Sequence, residues 1–163
     1  MLQQRCERIR VLVLDVDGVL TAGGIVLGNA DEELKQFHVR DGFGLSRWHA
    51  VGKVSAIITG RQAPLVVRRA GELSIVHIYQ NARDKLPALE DLFTRIKATP
   101  EETAYIGDDV PDVPCLERVG LAIAPADGCP EVRRLAHYVT RAGGGQGAVR
   151  EAIERILRCQ GRW

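Results

Sequence analysis

Apolar and polar positions follow two rhythms along this chain. Val11, Leu12, Val13 and Leu14 form an unbroken apolar run, and residues 54–58, 75–79, 104–106, 121–123 and 138–140 are similar short runs rich in β-branched and aromatic side chains. Short runs that are apolar on both faces suit strands buried within a parallel sheet. Between them the spacing becomes helical. Residues 63–73 predict a helix, and Asp84-Lys85 opens another whose apolar face carries Leu86, Leu89, Leu92, Phe93 and Ile96. Residues 146–158 predict an amphipathic helix through Val149, Ile153, Ile156 and Leu157. A short helix is expected over 45–50, stopped by Gly52. Thr99-Pro100-Glu101-Glu102 reads as a capping box with proline at the first helical position. Two extended runs, 23–27 and 33–39, flank Gly28-Asn29-Ala30-Asp31 and read as a β-hairpin.

Strand and helix alternate throughout, which predicts an α/β fold with a doubly wound, Rossmann-like parallel sheet covered on both faces. The 163 residues are the size of one domain and can bury a real core. The expected organisation is a single domain over 1–163, with a hairpin at 22–40 and a C-terminal tail at 141–163.

The strand ends carry the chemistry. The first run stops at Asp15-Val16-Asp17-Gly18, the second at Thr59-Gly60-Arg61, and the fourth at Gly107-Asp108-Asp109, with Asp112 one turn on. In open α/β sheets the ligand crevice lies at these carboxyl ends. Asp15 and Asp17 so close together repel unless a cation or shared proton intervenes, though a strand running into an Asp-Gly turn would look the same. Acids from separate strand ends suit Mg²⁺, a hard cation that takes oxygen ligands and keeps waters. Thr59, with backbone N–H groups nearby as at Gly60, can receive a phosphate, and Lys85 adds a point charge. An ionised carboxylate such as Asp15 can attack phosphorus without a base, and Asp17 could protonate the leaving oxygen and later activate water.

Charge narrows the partners. With 22 basic and 21 acidic residues the formal charge is +1, which gives no electrostatic reason to expect nucleic acid or a membrane surface. No apolar run approaches membrane-helix length, and residues 1–10 carry charges without a signal core, so a cytoplasmic protein is expected. Cys6, Cys115, Cys129 and Cys159 show no CxxC spacing and read as reduced structural thiols. Gly143-Gly144-Gly145-Gln146-Gly147 lacks the Lys-Ser/Thr of a phosphate-binding P-loop and reads as a flexible hinge before the last helix.

Asp15-x-Asp17-Gly-Val, Thr59, Lys85 and Gly107-Asp108-Asp109 with Asp112 resemble the four motifs of the haloacid dehalogenase superfamily, in its phosphatase branch. The resemblance implies Asp15 as nucleophile, Asp17 as acid/base, and Thr59 with Lys85 on the phosphate. It implies Mg²⁺ held by Asp15, Asp108 and the backbone carbonyl of Asp17, with Asp109 and Asp112 as supporting acids. Members of that superfamily usually insert a cap domain after the first or second motif. The stretches 18–58 and 60–84 are too short and already occupied, so a capless member with a small hairpin insertion is expected.

Gly42 within Phe37-His38-Val39-Arg40-Asp41-Gly42-Phe43-Gly44, Ile58-Thr59-Gly60-Arg61, and Tyr138-Val139-Thr140 followed by the glycine run and Ala148-Val149-Arg150-Glu151 resemble, more narrowly, the 3-deoxy-D-manno-octulosonate 8-phosphate phosphatases of lipopolysaccharide core synthesis. That likeness spans nearly the whole chain. It implies hydrolysis of an acidic eight-carbon sugar phosphate, and a homotetramer whose hairpins and tails help close neighbouring sites. Substrate contacts implied are His38, Val39, Arg40, Asp41, Gly42, Arg61 and Arg69, with Asp17. Plainer readings stay open: Arg40-Asp41 as a surface ion pair, His38 as packing beside Phe37, and Arg69 as a solvated side chain, since only one of Arg68 and Arg69 can face a site. Competing functions are a phosphatase for a nine-carbon sialic acid-type phosphate, a phospho-receiver domain, and a non-catalytic assembly partner.

Overall fold

The computed structural model describes residues 2–30 and 32–163; Met1 and Asp31, the last residue of the expected hairpin turn, lie outside them. In chain order the elements are α1 (Leu2–Arg8), β1 (Val11–Leu14), β2 (Val26–Leu27), β3 (Glu33–Leu34), α2 (Val39–Ala50), β4 (Val54–Ile58), α3 (Pro64–Glu72), β5 (His77–Tyr79), α4 (Leu86–Ile96), β6 (Thr103–Ile106), α5 (Val113–Arg118), β7 (Leu121–Ala124), α6 (Pro130–Leu135), β8 (Tyr138–Val139) and α7 (Ala148–Cys159). Six strands form one sheet in the order β5-β4-β1-β6-β7-β8, with every pairing parallel. β2 and β3 pair antiparallel as a separate two-stranded hairpin.

The apolar run of β1 is the centre of the sheet. Val13 lies opposite Ala56 of β4 on one side and Tyr105 of β6 on the other. Alternate side chains of a strand enter opposite faces. Leu12 and Leu14 accordingly pack with Leu45 and Trp48 of α2 and Val149, Ile153 and Ile156 of α7. Val11 and Val13 pack with Leu89 and Leu92 of α4, Leu116 of α5 and Val132 of α6. Each such fully buried side chain contributes about 1.5–3 kcal/mol. From β1 the chain moves out through β4 and β5, then returns to the other side of β1 at β6. That reversal opens a crevice beside the carboxyl end of β1, where the sequence places Asp15.

Several elements differ from expectation for local reasons. α2 begins at Val39, not at residue 45, so Val39, Arg40, Asp41 and Gly42 are helical rather than part of a loop. His38 starts it: its Nδ1 accepts the Arg40 N–H at 3.3 Å. Gly42 and Gly44 weaken the helical pattern but suit close packing, since a Cβ at 42 would meet the Arg69 guanidinium at 2.7 Å and one at 44 the Arg150 backbone at 3.2 Å. The second hairpin strand ends at Leu34, and α1, α5 and α6 are short helices with no period to read.

Residues 143–147 are not a flexible hinge. The Gly145 N–H donates to the Val19 carbonyl and the Gly144 N–H to Asp127 Oδ1, both at 2.9 Å. A Cβ on Gly144 would overlap the Gly18 carbonyl oxygen. The segment is a strap clamped on the loop that carries Asp17, and α7 beyond it is part of the core.

Candidate active site

Three strand ends and one helix start converge on a cavity of about 490 Å³ lined in part by Asp15, Asp17, Thr59, Gly60, Arg61 and Lys85, with Asp108, Asp109 and Asp112 closing one side. Asp15 follows β1 directly. Its N–H donates to the Ile106 carbonyl at 3.1 Å, which extends the β1–β6 ladder by one residue and fixes the carboxylate at the sheet edge. Thr59 is held likewise at the end of β4, its N–H on the Tyr79 carbonyl at 2.9 Å. Gly18 turns the chain back after Asp17 with φ +92°, and a Cβ there would overlap the Asp108 carboxylate. Both facts require glycine.

Lys85, the residue before α4, is buried. Its Nζ lies 3.0 Å from Asp15 Oδ1 and 2.7 Å from Asp112 Oδ1. Asp112 also accepts the Tyr105 hydroxyl at 2.8 Å and, on Oδ2, the N–H groups of Asp108 and Asp109 at 3.1 and 3.4 Å. Both Asp112 oxygens are thus committed to the protein. Asp109 is turned to its own helical turn, accepting the Val110 N–H at 2.8 Å. Asp108 Oδ1 is buried and has no partner.

Asp15, Asp108 and Asp112 each bring a carboxylate oxygen within 4.8 Å of the others. Burial, then repulsion from Asp112, pushes the Asp15 carboxyl up to about 6 despite Lys85. Burial, then Asp15, Asp112 and Asp109, pushes Asp108 up to about 7. Burial acts against the Lys85 ammonium, yet Asp15 and Asp112 outweigh it and raise its pKa. One lysine does not neutralise this set. A partnerless buried oxygen on Asp108 and three close acids are the donors a hard divalent cation takes. Because Asp112 is spent on Lys85, Tyr105 and backbone donors, Asp15 and Asp108 are the acids with capacity left. For Asp17 the expected ligand is the backbone carbonyl, and the position of its side chain is compatible with that. The Asp17 carboxylate is engaged by Lys35.

Asp17 Oδ1 is held by Lys35 Nζ at 2.5 Å, and Arg61 Nε stands 3.8 Å from its Oδ2. Glu33 bridges the two cations, 2.8 Å from Lys35 and 3.0 Å from Arg61. Lys35 and Glu33 were not legible as site residues. In sequence they belong to a hairpin strand, and only the fold brings the strand's end over the strand-end loop. The Lys35 side chain is 1% exposed, unusual for a lysine; burial works to lower its pKa, but the contacts with Asp17 and Glu33 outweigh it and leave the pKa raised.

Of the expected substrate contacts, Asp17 and Arg61 line this cavity and the others do not. Asp41 is buried as the cap of α7, its Oδ1 accepting the Arg150 N–H at 2.8 Å. Arg69 packs over the Phe37 ring at 5.7 Å and pairs with Glu72 at 3.0 Å, while Arg68 is exposed beside the same glutamate. Gly42 lies against Arg69, Val39 is exposed, and Arg40 lines a different cavity.

The haloacid dehalogenase-like hydrolase family model matches residues 53–153. The chain is 49% identical over 158 residues to 3-deoxy-D-manno-octulosonate 8-phosphate phosphatase KdsC of Escherichia coli K12, covering 97% of this chain and 84% of that protein. The fold superposes with a TM-score of 0.97 on the phosphatase of the same name from Yersinia pestis, at 48% identity over 98% of this chain and 86% of that one. It superposes with a TM-score of 0.95 on the Moraxella catarrhalis phosphatase solved with magnesium, phosphate and the sugar acid KDO, at 42% identity over 98% of this chain and 91% of that one. Sheet order, strand-end acids and these likenesses agree that the chain belongs to the 3-deoxy-D-manno-octulosonate 8-phosphate phosphatase family of haloacid dehalogenase-like hydrolases.

Proposed function

We propose that the chain is a magnesium-dependent phosphomonoesterase that hydrolyses 3-deoxy-D-manno-octulosonate 8-phosphate to the sugar acid and phosphate, in the cytoplasm, for lipopolysaccharide core synthesis. The observation that carries this reading is Asp15 at the cavity edge, 3.0 Å from Lys85 and beside the unpartnered Asp108 oxygen. A carboxylate oxygen of Asp15 attacks phosphorus, and the bond from phosphorus to the sugar oxygen breaks. Asp17 gives its proton to that departing oxygen. It then takes a proton from the water that cleaves the aspartyl phosphate and frees inorganic phosphate. Thr59, the Gly60 N–H and Lys85 hold the phosphoryl oxygens, and Lys35 keeps the Asp17 carboxyl in position. Magnesium, held by Asp15, Asp108 and the Asp17 carbonyl, neutralises phosphoryl charge when bound. Asp109 and Asp112 support that set. Phosphate release measured over a panel of sugar phosphates tests the substrate. kcat/KM for the eight-carbon acid is expected at least about tenfold above that for a nine-carbon sialic acid-type phosphate. Equal or reversed preference overturns the assignment.

The same reading takes residues 1–163 as one capless domain with a hairpin at 22–40 and a tail at 141–163, assembled as a homotetramer that binds neither nucleic acid nor membrane. His38, Val39, Arg40, Asp41, Gly42 and Arg69 stand off the cavity of their own chain. Ile25, Val26, Leu27 and Leu34 expose 52–72% of their surface on the hairpin. An apolar hairpin of this kind is what a neighbouring subunit covers. Mixed tetramers of Asp15→Asn and Arg69→Ala chains are expected to regain activity that neither homotetramer has. No recovery, or a fully active monomer by sedimentation, overturns the shared site.

A further inference from the structure

The strap 142–147 has two sides. Gly144 and Gly145 press on the loop 18–22, while Ala142, Gln146 and Gly147 line a second cavity of about 430 Å³. That volume suits a small solute. Its walls carry four arginines, Arg141, Arg150, Arg155 and Arg158, with Arg40, assigned above to a neighbour's catalytic site, at one edge, against two carboxylates, Glu151 and Glu154.

The two acids are largely spent. Glu151 accepts the Tyr138 hydroxyl at 2.7 Å and the Arg141 and Ala142 N–H groups, each at 3.0 Å, and its ion pair with the Arg141 side chain is long, at 3.7 Å. Glu154 sits between Arg150 at 3.3 Å and Arg158 at 2.7 Å. Among the described residues, neither Arg40 nor Arg155 has a carboxylate within 4.0 Å. Arg150 is further fixed by stacking on Phe43 and Trp163, at 5.1 and 4.5 Å from their centroids. Arginines scattered on a convex surface are ordinary solvated side chains. Here they face a concavity, where like charge focuses the potential, and one of them is already held rigid. Guanidinium forks match the oxygens of phosphate groups.

We propose that this arginine-lined cavity is a binding site for a small anion bearing two or more phosphate groups, separate from the catalytic cavity and divided from it by the strap. The probe is inorganic pyrophosphate, titrated calorimetrically into the full chain in chelator. Without metal the catalytic acids repel it. One saturable site per chain is expected, weakened at least about tenfold by Arg155→Glu and by raised salt, and unchanged by Asp15→Asn. Arg155→Glu is expected to keep wild-type turnover of p-nitrophenyl phosphate, which shows it folded. Absence of saturation, or equal affinity in Arg155→Glu, overturns the site. Because the readout is heat in metal-free protein, its failure is distinct from failure of the phosphatase reading.

Discussion

At the scale of residues, the site rests on a division of labour among acids. Asp112 spends both oxygens on Lys85, Tyr105 and two backbone donors, while Asp15 stands at the sheet edge with Lys85. Asp17 is held apart from both by Lys35. Asp15→Asn and Asp17→Asn should therefore fail differently. Asp15→Asn removes the attacking oxygen, so turnover is expected to fall at least about 10³-fold with no covalent species. Asp17→Asn leaves the attack possible but slows breakdown, so intact-protein mass spectrometry is expected to find one phosphoryl group, mapped to Asp15. A phosphoryl group on another residue would sink the assignment. The positions of these acids are legible in sequence because strand ends announce themselves: an apolar run that stops at an acid has few other meanings in a parallel sheet. Lys35 and Glu33 were not legible. Their position depends on how a hairpin folds back, which no local pattern encodes.

At the scale of elements, long apolar periods were readable and short irregular pieces were not. β1, β4, β6, α4 and α7 follow patterns strong enough to place within a few residues. The start of α2 is masked in sequence because Gly42 and Gly44 lower its helical propensity by about 0.5–1 kcal/mol each, a cost set against close packing on α3 and α7 that sequence cannot show. The glycine strap is hidden for the same reason, since glycine marks both freedom and tight approach. The two meanings can be separated by experiment. Gly144→Ala drives a methyl into the Gly18 carbonyl and is expected to cost about 1–3 kcal/mol, with a fall in kcat as the Asp17 loop shifts. Gly71→Ala, in α3 with open space around its Cα, is expected to stabilise by about 0.5–1 kcal/mol and leave kcat unchanged. Equal thermal shifts in the two variants would show that the strap is as loose as the exposed helix position.

At the scale of the whole molecule, the acid cluster ties global stability to pH and to metal. Asp15 and Asp108 hold their protons up to about 6 and about 7 in the fold, against 3.8 for an ordinary aspartate. Between those limits the folded chain binds more protons than the unfolded one, so the pair's contribution to stability falls as pH rises and levels off above about 7. Glu102, Glu151 and Glu154 are held below the usual range and act in the opposite sense, but they are already ionised above pH ~5. His49 and His137, lowered mainly by burial, favour the fold as pH rises through about 6.5 and so oppose the aspartates in the same window. A single pH scan would therefore mix the two effects, and a difference separates them. In chelator, Asp108→Asn is expected to melt above the wild type at pH 8, with the gap narrowing at pH 5, because it removes only the aspartate repulsion. Magnesium binds the ionised acids and competes with their protons. It is expected to raise the wild-type melting temperature clearly at pH 8, little at pH 5, and Asp108→Asn at neither. An equal magnesium shift at both pH values, or one retained in Asp108→Asn, would mean that the ion stabilising the fold sits elsewhere than on Asp15 and Asp108.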